Sequence, residues 1–155
     1  PEDTYSLSKY LGEETMKAFS RAYGINMIAM RLLGVYYENS EMHKSFYKFG
    51  MDYQEPKGGV ITGDTYQYAD ARDIAYFTGL SLKKIGSDTL KKYEAFNVAT
   101  DTRFKPDSKS FYDRAFPYLR DMTENLGEHE GLLSIRKAKE LLGYESQYTW
   151  RKSQQ

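Results

Sequence analysis

The chain has 155 residues, about one domain by length, and with 28% charged and 15% aromatic residues it is neither a disordered tail nor a low-complexity tract. Its 22 basic and 22 acidic side chains cancel, which argues against a broad electrostatic grip on nucleic acid or anionic lipid, and the lack of cysteine excludes disulfides, thiolate metal sites and a Cys nucleophile. His43 and His129 stand too far apart to suggest a local metal pair, and no membrane-length apolar run or signal-peptide pattern is visible, so the expectation is a metal-free, soluble, cytoplasmic protein.

Thr4 to Tyr23 reads as a helix: Leu7, Leu11, Thr15, Ala18 and Ala22 share one side at spacings of three and four, and Gly24 is placed as its C-terminal cap. Ile25 to Leu33 follows at once. Its apolar run is interrupted only by Arg31, the pattern of a strand buried on both faces of a parallel sheet. From Tyr36 to Gly63 regularity is lost among many aromatics; Gly58-Gly59 marks a turn, with Val60 to Thr62 a short strand after it. Asp70 to Ile85 is the next helix, with Asp70 as N-cap, Asp73 three residues on, and Gly86 ending it. Ala95 to Ala99 is a second buried-strand candidate. Pro106 and Asp107 open a helix through Phe116, stopped by Pro117, and Ser134 caps a last one from Ile135 to Leu142, ended by Gly143. Trp150 is expected to anchor the tail onto the body, and His129 to lie in a surface loop. Strands alternating with helices indicate an α/β fold with a parallel sheet.

Tyr5 and Lys9 are four apart on the first helix, hence one turn apart on one face. A phenol titrates near ~10 in water, and a neighbouring cation favours its phenolate, which can take a proton from a substrate hydroxyl. Two further pairs have this spacing, Tyr53/Lys57 around Pro56 and Tyr148/Lys152 in the polar tail. Only Tyr5/Lys9 sits on a strong helix that runs directly into a strand.

Several motifs occur in one order along nearly the whole chain. They are Tyr5-Ser6-Leu7-Ser8-Lys9, Gly12-Glu13, Tyr23-Gly24, Met30-Arg31-Leu32, Tyr68 to Ala75, Phe96-Asn97-Val98-Ala99, and Ser134-x-x-Lys137-Ala138 with Leu142-Gly143-Tyr144. This order resembles the C-terminal half of the extended short-chain dehydrogenase/reductases of the NAD-dependent epimerase/dehydratase group. The resemblance implies part of a Rossmann-type parallel sheet with a small α/β substrate lobe. Residues 1–35 and 69–100 would belong to the sheet domain, 36–68 to an insertion and 101–155 to the C-terminal lobe. It implies hydride transfer on a sugar or nucleotide-sugar hydroxyl or keto group, with Tyr5 as acid/base and Lys9 on the nicotinamide ribose of NAD or NADP. Leu32 and Leu33 become candidate cofactor contacts, and Gly34, Tyr36 and Arg72 candidate substrate contacts.

The family's glycine-rich phosphate turn and catalytic Ser or Thr do not occur in this sequence, and the chain begins at Pro1, so a fragment of a longer enzyme, inactive alone, is expected. The family's Asn-Val-Tyr-Gly-Pro is here Gly34-Val35-Tyr36-Tyr37-Glu38, and Thr65 and Tyr66 stand where nucleotide-sugar members carry an Arg. A dehydrogenase of a free sugar or sugar acid, and a non-catalytic dinucleotide-binding relative, therefore stay open. Arg103, His43, Lys44 and Lys57 are the remaining cations for an anionic substrate group. The tyrosines between Tyr36 and Tyr68 are expected to pack the lobe rather than stack on a ligand. The resemblance also implies a homodimer through the Tyr-bearing helix, whose expected exposed side carries Tyr10, Met16 and Phe19.

Overall fold

The structure, a computed structural model, describes residues 1–37, 40 and 65–154. Val60 to Thr62, His43, Lys44 and the Tyr53/Lys57 pair lie outside the described residues.

Helix α1 (Thr4–Tyr23) has the expected bounds. Asp3 accepts a hydrogen bond from the Ser6 amide at its start, and Gly24 closes it at φ 68°, a left-handed conformation that a side chain would strain. The chain then reverses into β1 (Met27–Leu32), which pairs in parallel with β4 (Tyr93–Val98), Met27 opposite Tyr93 and Leu32 opposite Val98. Between them come β2 (Gly34–Tyr36), β3 (Gln67–Asp70) and helix α2 (Ala71–Lys84). The second sheet has the order β2–β3–β5, with β2 parallel to β3 and the short β5 (Asp101–Thr102) antiparallel to it. Helices α3 (Ser108–Ala115), α4 (Arg120–Thr123) and α5 (Arg136–Leu142) follow. The architecture is the expected α/β one.

Two expectations need correction. The run at β1 is not buried on both faces: Ala29 is its one buried residue, while Met30 and Leu32 are 39% and 43% exposed. Among the described residues β1 has a single strand neighbour, so part of its apolar surface stays open. The apolar stripe of α1 also points the other way. Leu7, Leu11, Thr15, Ala18 and Ala22 are all exposed, and the half-buried or buried positions are Ser6, Glu13, Glu14, Met16, Lys17 and Ser20. Periodicity identifies which residues share a face; here the polar face is the one held against the sheet.

The core lies on the other side of the β1–β4 sheet. Phe77 of α2 meets Phe96 edge-on at 5.7 Å and Tyr144 at 5.3 Å, and Ala138 and Leu142 of α5 complete the cluster. A second cluster, Tyr66, Phe104, Phe111, Tyr112 and Phe116, forms around α3, with Phe104 and Phe111 stacked at 3.7 Å. A third joins Tyr36, Tyr68 and Trp150. The indole donates to the Thr102 carbonyl at 2.7 Å, so Trp150 does anchor the tail.

Asp70 caps α2 as expected, accepting from the Arg72 amide at 2.9 Å. Asp73, spaced for a capping box, serves another purpose. It is fully buried and accepts from Thr100 Oγ1 at 2.8 Å and from the backbone amides of Gln147 and Tyr148 at 2.8 and 3.3 Å. One carboxylate thus joins the end of β4 and the C-terminal segment to α2. Asp73→Ala strands these donors in the interior, where each unsatisfied group costs about 1–3 kcal/mol. We expect a loss of about 3 kcal/mol or more, read as a lower urea midpoint.

Candidate functional site

Tyr5 lies in the first turn of α1. The Asp3 cap fixes that turn, taking the Ser6 amide at 2.8 Å and the Ser6 hydroxyl at 2.7 Å. These hydrogen bonds hold the Asp3 carboxyl below its ordinary range. Lys9 stands one turn on, its ammonium 5.0 Å from the centroid of the Tyr5 ring, a cation–π arrangement. The expected pair is therefore formed. Tyr5 is 70% exposed among the described residues.

The position of this pair follows from how α1 sits on the sheet. The end of α1 adjoins the start of β1 across the Gly24 turn, while Glu13 in mid-helix reaches Arg31 near the end of β1. Helix and strand therefore run antiparallel. Tyr5, eight residues before Glu13, lies about 12 Å further towards the carboxyl ends of β1 and β4. In open α/β sheets this is the side where ligands bind. Leu32, half-buried Leu33 and exposed Gly34 occupy the end of β1 and the start of β2 on that same side.

Glu13 joins the middle of the helix to both strands. Its carboxylate takes a bidentate pair from Arg31, Nε at 2.7 Å and Nη2 at 2.8 Å, and a third hydrogen bond from the Tyr93 hydroxyl at 3.0 Å. The Lys17 ammonium lies 5.5 Å from the Tyr93 ring centroid. Hydrogen bonding from Arg31 lowers the Glu13 pKa, and the same pair raises that of Arg31. Burial, followed by the hydrogen bond to Glu13, pushes the Tyr93 phenol up to about 12.

The candidate substrate contacts Tyr36 and Arg72 are engaged by the protein itself. Tyr36 is 5% exposed, meets Tyr68 edge-on at 5.4 Å and accepts from Arg103 Nη1 at 3.2 Å. Of the tyrosines expected to pack the lobe, Tyr36, Tyr66 and Tyr68 are buried, Tyr37 is exposed, and Tyr47 and Tyr53 lie outside the described residues. Arg72 donates through Nε and Nη2 to the two oxygens of Asp70, each at 2.9 Å, and its guanidinium covers the Tyr148 ring at 4.2 Å.

A cleft of about 480 Å³ opens elsewhere, lined by Gln67, Thr100, Asp101, His129, Arg136 and Lys139 among others. His129, expected in a surface loop, lies in a turn beside this cleft, and its buried Nδ1 has no hydrogen-bond partner among the described residues. The Gln67 amide shapes the cleft by binding both backbone groups of Leu133, at 2.8 and 3.0 Å. Gly131 is required beside it, since a Cβ there would stand 2.0 Å from Gln67 Cδ. Four chain segments build the cleft, so no local motif announces it. Tyr5 and Lys9 do not line it. Among the described residues no group of three or more His, Asp or Glu is placed to hold a metal, and no helix is long and apolar enough to cross a membrane.

No protein-family model and no curated protein sequence matches the chain. Solved structures do. The UDP-N-acetylglucosamine 4-epimerase from Bacillus cereus is 22% identical with a TM-score of 0.55, the match covering 96% of this chain and 49% of that one. The UDP-glucose 4-epimerase from Thermotoga maritima, solved with UDP-glucose, is 20% identical with a TM-score of 0.51, over 97% of this chain and 54% of that one. The likeness is one of fold, and the chain spans about half the length of these structures.

The raised Tyr93 pKa has a sign that can be checked. Between about pH 10, where an unfolded phenol ionises, and pH 12 the folded state holds a proton that the unfolded state has released. The stability that Tyr93 contributes is therefore complete below about pH 10 and is lost as pH rises through that window. Tyr93→Phe should flatten this alkaline decline in a urea titration series.

Proposed function

We propose that the chain is the C-terminal half of an NAD(P)-dependent epimerase/dehydratase-type enzyme. The reading is supported above all by one observation: the helix that pairs Tyr5 with Lys9 runs through a Gly24 turn into a parallel strand pair and sets both side chains at its carboxyl end. The fold shared with two UDP-sugar 4-epimerases adds to it. The substrate class proposed is a sugar nucleotide.

The residues fit the nicotinamide end of a dinucleotide. A phenol and an ammonium, the groups suited to a proton and to ribose hydroxyls, stand on one open helix face with Leu32, Leu33 and Gly34 on the same side. They do not supply a phosphate-binding glycine turn, so this segment alone is expected to hold NAD weakly. When bound, the cofactor supplies a hydride acceptor. Tyr5 then moves the proton of the substrate hydroxyl, taking it as the carbonyl forms and returning it as the carbonyl is reduced. Lys9 donates hydrogen bonds to the ribose and keeps a positive charge beside the phenol. A homodimer would form through the exposed side of α1: of the expected Tyr10, Met16 and Phe19, Met16 is instead half-buried, and the exposed Leu7–Leu11–Ala18–Ala22 stripe joins Tyr10 and Phe19 as apolar surface whose burial from water favours association.

The test is Tyr5→Phe in the full-length protein, assayed with NAD and UDP-glucose. Loss of the acid/base should lower turnover by about 10²–10⁴-fold. Turnover retained within a few-fold would remove the assignment.

A further inference from the structure

Two of the motifs along the chain, Gly12-Glu13 and Met30-Arg31-Leu32, have no role in the proposed proton transfer, yet their charged members meet each other in the fold. We infer that Glu13 is a positioning residue: its bonds to Arg31 and Tyr93 set the rotation and depth of α1 on the sheet, and so where Tyr5 and Lys9 stand beyond the strands' carboxyl ends. This inference rests on the proposed catalytic reading of Tyr5.

Of the twenty residues of α1 only Ser20 is buried, and the apolar stripe faces away from the sheet. Among the described residues the burial of α1 is concentrated between Glu13 and Ser20 while Tyr5 and Lys9 are exposed, so no apolar packing among them holds the N-terminal half of the helix. Glu13 touches both strands at once, β1 through Arg31 and β4 through Tyr93. A bidentate guanidinium–carboxylate pair fixes direction as well as distance, and a third bond from a second strand removes the remaining rotation.

The same pair is a poor source of stability. The Arg31 side chain is 57% exposed and that of Glu13 21%, the setting in which ion pairs contribute little. Its consequence is geometric. Tyr5, Lys9 and Glu13 follow one another at intervals of four along one side of the helix, so fixing the last fixes the other two. Over the lever of about 12 Å from Glu13 to Tyr5, a tilt of about 5° moves the phenol by about 1 Å. Misplacement on that scale can cost about a hundredfold in rate.

The experiment uses the full-length protein with NAD and UDP-glucose, comparing Glu13→Gln, Arg31→Ala and the exchange Glu13→Arg with Arg31→Glu. Each single variant should lower kcat by roughly ten- to a hundredfold while KM for UDP-glucose stays within about threefold. The exchanged pair should recover most of the loss. A purely structural pair would lower the melting temperature and leave kcat of the folded enzyme within about twofold, and that result overturns the inference. So does an exchanged pair no better than the single variants. Amide hydrogen exchange over residues 4–12, measured without substrate, gives a second readout. It should quicken in Glu13→Gln while residues 16–23 are unchanged, and equal protection in variant and parent overturns the inference. If the parent fails to turn over UDP-glucose, or if Tyr5→Phe retains its rate, the catalytic reading falls, and the exchange data alone decide whether Glu13 places the helix.

Discussion

The carboxylate of Glu13 is the contact on which the geometry of the site depends. It gathers a guanidinium from one strand and a phenol from its neighbour, and it does so from the middle of a helix that is otherwise almost unburied. Helices of α/β proteins ordinarily turn an apolar stripe towards the sheet. Among the described residues the Glu13 hydrogen bonds join α1 to both strands, and its apolar stripe is exposed, the surface proposed for a second copy. A polar attachment specifies orientation more narrowly than a greasy one, because a bidentate pair tolerates little rotation. For the proposed role of this helix, presenting a phenol and an ammonium, that restriction is the useful property.

The rest of the chain is tied together by its C-terminal segment. Asp73 receives the amides of Gln147 and Tyr148, Tyr144 donates to the Ala99 carbonyl at 3.0 Å, and Trp150 closes over Tyr68 and Thr102. Arg151 pairs with Asp101, a carboxylate only 7% exposed. These contacts come from residues distant in sequence, and most involve backbone groups that would otherwise be buried without partners. They join the C-terminal segment to α2, to β3 and β5, and to the end of β4.

Much of this architecture was legible in the residues. Gly24 and Gly143 stop their helices in left-handed conformations, and Asp70 and Asp107 start theirs, because capping is local chemistry that a few adjacent residues decide. The Tyr5–Lys9 pairing was legible for the same reason. What could not be read was which side of α1 faces the sheet. That depends on Arg31 and Tyr93, 18 and 80 residues away from Glu13. The run from Ile25 to Leu33 likewise records that its side chains are apolar, not how many neighbours cover them. Asp73 was misread as a partner in capping because its true partners, at 147 and 148, carry no signal in their side chains: they bind through their backbones. The cleft beside Gln67 was missed because four separate segments assemble there.

The account as a whole is tested most directly by a crystal structure of the full-length protein with NAD bound. It predicts Tyr5 Oη and Lys9 Nζ within about 3.2 Å of the nicotinamide ribose hydroxyls, with the Glu13–Arg31 pair intact behind them. A nicotinamide ring bound away from the carboxyl ends of β1 and β4, with the Tyr5 hydroxyl still facing solvent, would contradict it.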